Sequence, residues 1–407
     1  MIFNAKKYLQ ILITFIIILF SSFSGCIINS NNQNDDLTDK KDVLVYATFD
    51  NKSINPYSFN AYSLNTLLVN IYNGLVEFDE FYQISPSLAA SWNNLNDYTW
   101  RFFLRKDVKF HNGYNFTSRD VNYSISLYQS YQSFIKEVNI IDNYTIDIVT
   151  YDPFPGLLQR FAYNFLIFPS NLESTSEEDE PIGTGAYKFI EYVENNYTKL
   201  EVFEDYWRKK PEINTIIFRL IEDRQKRVDE LLSGKIDIIE YNVDKDINNV
   251  LKNDNIIIQK YPPLATYIIG FDFRENNSYG FPDGKNPTSD IRVRKAIYQA
   301  IDIEPLINGP FMGFAKPASQ FLTPYIFGYN PDIKRLSYNI SNAILLLNEA
   351  GYENGFNIDL DCITVGFDYN LDNCQLIADQ LLEIGINVSI NNLSVEDFNK
   401  KVVEENK

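Results

Sequence analysis

Between Tyr98 and Gly113 apolar and polar residues alternate with a period of two. Trp100, Phe102 and Leu104 fall on one side, and Arg101, Phe103 and Arg105 on the other. That is the pattern of a half-buried strand. Lys106-Asp107 interrupts it. Val108 and Phe110 then resume it against Lys109 and His111, and Asn112-Gly113 reads as a turn. Thr117, with Asp120 three residues on, predicts a capped helix that buries Val121, Ile125 and Leu127 or Tyr128.

The same reading predicts the other elements. Asp42–Phe49 is a first strand, and Leu67, Leu68, Ile71, Tyr72 and Leu75 fall at helical spacing. Val138–Thr150 reads as two strands around Asp142-Asn143, and Tyr187–Phe203 as a hairpin around Asn195-Asn196. Ile216–Ile221 is a strand. Asp223 then caps a helix that Gly234 ends, and Ile236–Ile238 is the next strand. Leu264–Phe271 reads as a strand too. Asp290–Ile301 is the clearest helix, with Val293, Ala296, Ile297, Ala300 and Ile301 on one face. Helices at Ile340–Ala350 and Asn373–Ile384 and strands at Ile358–Val365 and Ile386–Ile390 complete the series. Strands alternating with helices place the chain in the α/β class.

The start of the chain has a different pattern. Lys6 and Lys7 precede an apolar run from Ile11 to Phe20, and Ser24-Gly25-Cys26 follows. A basic region, an apolar region and small residues describe a secretory leader, residues 1–26. Cys26 after Ser-Gly resembles a lipoprotein processing box, with the lipid on its thiol; an uncleaved membrane anchor is the alternative. Residues 27–41, polar and rich in Asn and Asp, read as a flexible linker.

Composition narrows the chemistry. The chain has 407 residues, of which 45% are hydrophobic and 22% charged, which supports a folded core over global disorder. A net charge of −18 disfavours nucleic acid as a partner. The chain has one histidine, His111, so neither a Ser-His-Asp triad nor a histidine-based metal centre is expected, and no cofactor is implied. No phosphate-binding loop is present: Gly234-Lys235 lacks its upstream glycine and its following Ser or Thr. Cys362 and Cys374 remain after Cys26; a disulfide or two buried thiols both satisfy the pattern.

By itself the Tyr98–Gly113 stretch is a structural hairpin. Its wording, however, resembles the W-x-F-x-L-R-x-x-V-x-F-x-x-G signature of the solute-binding proteins that serve oligopeptide, dipeptide and nickel ABC importers, extracellular family 5. Further segments resemble that family in order: Asn70, Tyr72, Gly74 and Leu75; Pro86–Trp92; Pro181-Ile182-Gly183-Thr184-Gly185-Ala186-Tyr187; Tyr206-Trp207 with Lys210-Pro211; Gly234–Asp237; and Asp290–Asp302. Ala186 stands where the family usually has Pro. The two glycines are expected to supply unusual backbone dihedrals, and Arg292 and Arg294 to be solvated or interlobe charges.

The resemblance implies a periplasmic-binding-protein-like α/β fold of the type II, cluster C kind. Its two mixed α/β lobes are joined by a hinge, with a small inserted domain. Residues 42–57 and 181–261 would form lobe I, 58–180 the inserted domain, and 262–407 an incomplete lobe II. The family continues further at its C-terminus, so the chain reads as C-terminally truncated, and the acidic residue with which members hold a peptide's amino end cannot be carried over. The implied function is capture of a small solute, expected to be a peptide. The protein would be a non-enzymatic monomer, lipid-anchored outside the cell membrane, that delivers to permease subunits whose ATPase lies on the cytoplasmic side. Tyr62, Ser63, Leu264, Ala265, Thr266 and Tyr267 are the expected cleft residues; ordinary core or lobe surface is their alternative role. Nickel or a nickel chelate is an alternative solute, and a truncated, non-transporting surface protein an alternative role.

Overall fold

The computed structural model describes residues 24–29, 42–49, 66–171, 180–242, 250, 252–254, 256–259, 266–272, 285–363 and 370–401. Residues 1–23 of the expected leader (1–26), residues 30–41 of the expected linker (27–41), and Tyr62, Ser63, Leu264 and Ala265 lie outside the described residues. The chain divides into two compact units: Met1–Tyr241 with Asn253–Lys260, and Asn242–Lys252 with Tyr261–Lys407.

The first unit contains strands β1 (Ser24–Asn29), β2 (Val43–Thr48), β3 (Val76–Phe78), β4 (Ile84–Pro86), β5 (Ala89–Asn96), β6 (Thr99–Leu104), β7 (Ile135–Asp142), β8 (Thr145–Thr150), β9 (Tyr187–Val193), β10 (Tyr197–Val202), β11 (Thr215–Leu220), β12 (Ile238–Asn242) and β13 (Ile256–Gln259). Its helices are α1 (Leu68–Ile71), α2 (Ser118–Leu127), α3 (Gln129–Gln132), α4 (Leu157–Asn164) and α5 (Arg224–Leu232). One mixed sheet has the order β13-β1-β12-β2-β11-β10-β9. In it β2 runs parallel to both β11 and β12, and β9–β11 form an antiparallel meander. Asp237, just before β12, accepts the Val45 N–H at 2.8 Å and donates its own N–H to the Val45 carbonyl, so it ties β12 to β2.

A second, antiparallel sheet has the order β5-β6-β8-β7. The alternation of the opening stretch is physical here. Phe102 and Leu104 are buried and Trp100 half-buried in a core with Phe110, Phe116, Phe161 and Phe165. Burying each such ring is worth about 2–3 kcal/mol. On the opposite face Arg101 makes a bidentate pair with Asp147, both bonds 2.7 Å, directly across the β6–β8 register. The expected second strand at Val108–His111 is reduced to a single bridge, Lys109 to Asn115; Val108 and Phe110 are nonetheless buried. Gly113 closes that turn at φ +86°, a conformation that favours glycine. The predicted capping box at α2 forms: Asp120 accepts from Thr117 N at 2.7 Å and, through its other oxygen, from Ser170 N at 2.8 Å.

The second unit holds α6 (Ile291–Ala300), α7 (Glu304–Asn308), α8 (Ile340–Glu349), β14 (Phe356–Ile363), α9 (Asn370–Leu382), β15 (Ile386–Leu393) and α10 (Val395–Asn399). β14, α9 and β15 form a βαβ unit with the two strands parallel. The predicted stripe of α6 (Val293, Ala296, Ile297 and Ala300) is buried with Ala343, Leu347, Leu381 and Ile386. Arg292 pairs with Asp290 at 2.6 Å and donates to the Glu349 carbonyl, while Arg294 donates to the Thr288 and Ser289 carbonyls; both tie down helix ends. The expected strand Leu264–Phe271 is not a strand over its described part, Thr266–Phe271. The Asp272 carbonyl beyond it accepts from the side chains of Asn286 and Thr288 instead of from a ladder, at 2.8 and 2.7 Å.

Candidate functional site

Several of the segments that carry the motif wording meet in the first unit, whereas Asp290–Asp302 lies in the second. Gly183-Thr184-Gly185 runs past the end of α1, and a Cβ on Gly183 or on Gly185 would overlap the carbonyl of Ile71. Neither glycine has a positive φ. The expectation of special dihedrals is therefore corrected: these positions need glycine because two backbones touch. His111 clasps the same segment. Its backbone N–H donates to the Gly183 carbonyl at 2.9 Å, its Nδ1 accepts from Gly183 N at 3.3 Å, and its Nε2 faces the Gly185 carbonyl at 3.0 Å. Only a neutral imidazole protonated on Nε2 satisfies both ring contacts. Burial pushes the imidazole down to about 4, helped by Lys188 and opposed by the Gly185 bond.

Trp207 completes the junction. Its Nε1 donates to Asn73 Oδ1 at 3.1 Å and to the Thr184 carbonyl at 3.2 Å, and Thr184 Oγ1 reaches the same Asn73 oxygen at 3.1 Å. The guanidinium groups of Arg105 and Arg208 lie over the indole, at 4.7 and 4.3 Å from a ring centroid. Arg105 also donates to Ser87 O, and Arg208 pairs with Glu77 at 2.7 Å. This cluster is a knot of scaffold. Its polar groups largely bond one another, so these residues hold the fold at this junction.

The described residues predicted to meet a solute are Thr266 and Tyr267, in the second unit. Thr266 Oγ1 is buried and has no hydrogen-bond partner among the described residues. Tyr267 and Ile268 are 42% and 55% exposed, whereas Ile269 and Phe271 pack on the core. Tyr267 and Ile268 are thus the solvent-exposed side chains of this segment, while the Thr266 hydroxyl is inside it. Cys26 lies in β1, opposite Gln259 of β13 in register, and its side chain is outside the described residues. Cys362, at the end of β14, is joined to Cys374 in α9 by a disulfide, with Cα atoms 6.6 Å apart. The choice between bridge and thiols falls to the bridge. Among the described residues there is no group of three His, Cys, Asp or Glu placed to hold a metal, and no helix long and apolar enough to cross a membrane.

Known proteins resemble this chain in sequence and in fold. The dipeptide-binding protein of Escherichia coli K12 is 27% identical over 350 residues, which is 77% of this chain and 63% of that protein. The chain therefore spans under two thirds of that relative. A glutathione-binding protein from Pectobacterium atrosepticum is 27% identical over 86% of this chain and 68% of its own length. Among solved structures, the periplasmic binding protein DppA from Helicobacter pylori, in complex with the peptide STSA, superposes with a TM-score of 0.65 at 26% identity. That match covers 88% of this chain and 75% of DppA. NikA from Brucella suis, in complex with Fe(III)-EDTA, has the same fold at a TM-score of 0.76 and 23% identity, over 89% of this chain and 77% of NikA. The profile described as bacterial extracellular solute-binding proteins, family 5 Middle, matches residues 83–407. With that match spanning most of its length, the chain belongs to the bacterial extracellular solute-binding proteins of family 5.

Proposed function

We propose that this protein captures peptides outside the cell for an ABC importer. It would be held at the membrane by a lipid on Cys26 and deliver to permease subunits driven by a cytoplasmic ATPase. The carrying observation is the likeness to the peptide-bound DppA over 88% of the chain at 26% identity. The Cys362–Cys374 disulfide supports an oxidising, extracytoplasmic compartment. In this reading residues 42–57 and 181–261 form one lobe, 58–180 an inserted domain and 262–407 the other lobe. Closure about the hinge traps the solute, and Tyr62, Ser63, Leu264, Ala265, Thr266 and Tyr267 line the cleft. Backbone pairing supplies affinity and open pockets tolerate different side chains.

A nickel or other metal chelate is the second reading. The fold likeness to NikA with Fe(III)-EDTA favours it, and a chelator would supply the ligands that one histidine cannot. Calorimetry and thermal shift on the purified protein, with a di- and tripeptide pool in one arm and Ni(L-His) in the other, separate the two. Heat and a raised melting temperature with peptides alone are expected. A response to the nickel chelate alone, or to neither, overturns peptide capture.

A further inference from the structure

We propose that the loop of residues 321–329 is a docking tip that sets two phenylalanine rings into an anionic bilayer; this rests on the reading above that the protein works held at the membrane. Residues 309–339, between α7 and α8, are neither helix nor strand. Within them the Gln320 side chain closes the neck of the loop. Its Nε2 donates to the Asn330 carbonyl at 2.6 Å, and its Oε1 accepts from Asn330 N at 3.1 Å. Inside the loop Ile326 N donates to Thr323 O and Tyr329 N to Ile326 O. Gly328, at φ +97°, turns back against Leu322: a Cβ there would stand 3.2 Å from Leu322 Cδ1. That contact joins the chain neighbours of Phe321 and Phe327, so both rings belong to one braced tip. They are 72% and 67% exposed, more than any other large apolar side chain among the described residues.

The charge around the tip has the opposite sign to that of the chain. Between Glu304 and Glu349 the charged residues are Lys316, Asp332, Lys334 and Arg335, in a chain of net charge −18. Lys334 Nζ donates to the Pro331 carbonyl at 2.6 Å, and Arg335 to the Ala318 carbonyl at 3.4 Å. Both carbonyls lie within two residues of the neck, so these cations stand at the base of the loop. Lys316 is exposed on the approach to it. Ile333, Leu336 and Tyr338 add exposed apolar surface beyond the neck. An apolar tip above a basic collar suits a bilayer with negative headgroups. The rings reach the boundary between headgroups and acyl chains, and each cation near the surface adds attraction. A second copy of the chain is a poorer match. Two rings, at about 150–250 Å² each, fall short of the roughly 800 Å² a side that a stable protein interface buries. A bilayer needs only the tip. The bonds that brace the loop also reduce what ordering it on docking would cost.

The test is the fluorescence of Phe327→Trp in the whole chain, on mixed phosphatidylcholine–phosphatidylglycerol vesicles. The wild-type signal is subtracted, since Trp92, Trp100 and Trp207 all lie in the first unit. The new indole is expected to shift to the blue and to be quenched by lipids brominated in the upper acyl chain. Adding Lys316→Ser and Lys334→Ser should lower the ratio of docked to free loop about tenfold. An indole that stays unquenched on vesicles that carry the chain overturns the docking tip and leaves the lipid anchor standing. A blue shift without vesicles that grows with protein concentration places a second copy on the loop and overturns the bilayer as its occupant. If Phe327→Trp does not fold, Phe321→Trp decides on the same criterion. A chain that does not float with the vesicles at all overturns anchor and tip together.

Discussion

The clasp of His111 around Gly183 and Gly185 makes a quantitative prediction about acid. In the folded chain the imidazole stays neutral down to about pH 4, because burial penalises its charge and because Nδ1 must stay bare to accept the Gly183 N–H. Unfolded, it titrates near the ordinary value of about 6.5. Between those values the unfolded chain holds a proton that the folded chain refuses. The contribution is therefore fully present above pH 6.5 and is lost as pH falls toward 4. At about 1.4 kcal/mol per unit, the loss over that window comes to about 3 kcal/mol. The three tryptophans of the chain, Trp92, Trp100 and Trp207, all lie in the first unit, so their fluorescence in urea follows the unit that contains His111. Stability of the wild type should fall more steeply between pH 6.5 and 4 than that of His111→Gln, whose side chain does not titrate. The difference of slopes removes the carboxylates common to both. Because the chain has a single histidine, its imidazole NMR signals give the titration directly. An imidazole that titrates near 6.5, or two proteins that lose stability in parallel, would refute the clasp.

Other perturbations separate the causes of rigidity. Gly185→Ala forces a Cβ into the Ile71 carbonyl and should cost about 3 kcal/mol or prevent folding. Gly113→Ala meets nothing within 4 Å and pays only for its positive φ, about 1 kcal/mol; urea midpoints compare the two. Opening the Cys362–Cys374 bridge, which spans 12 residues, should cost the second unit about 3 kcal/mol. Thermal unfolding with and without dithiothreitol, against Cys362→Ser/Cys374→Ser as a control insensitive to reductant, measures it. An equal melting temperature in all three would count against the bridge.

Much of the fold is local and could be read from the chain. The β6 alternation, the Thr117–Asp120 capping box, the Asp223 cap and the α6 stripe all depend on residues within one or two turns of each other. Where the local signal was weak, the reading failed. α4 begins after Gly156, whose side chain cannot cap, so nothing announces its start, although Phe161 and Phe165 are deep in the core. The Thr266–Phe271 run is apolar enough for a strand. Its described residues are nonetheless not a strand, because a strand depends on a neighbour that periodicity does not specify.

The amino-acid order thus determined the class and the apolar face of the elements with a strong local signal, since those follow from spacings of two to four residues. Only the tertiary structure decided that Asn73 would share one carbonyl oxygen with Thr184 and Trp207, across 111 and 134 residues. It also decided that Gly183 and Gly185 are needed for contact and not for dihedral freedom, and that Cys362 would reach Cys374. Each of these depends on distances between segments remote in the chain. Such distances are set by the packing of the whole core, which no short stretch encodes.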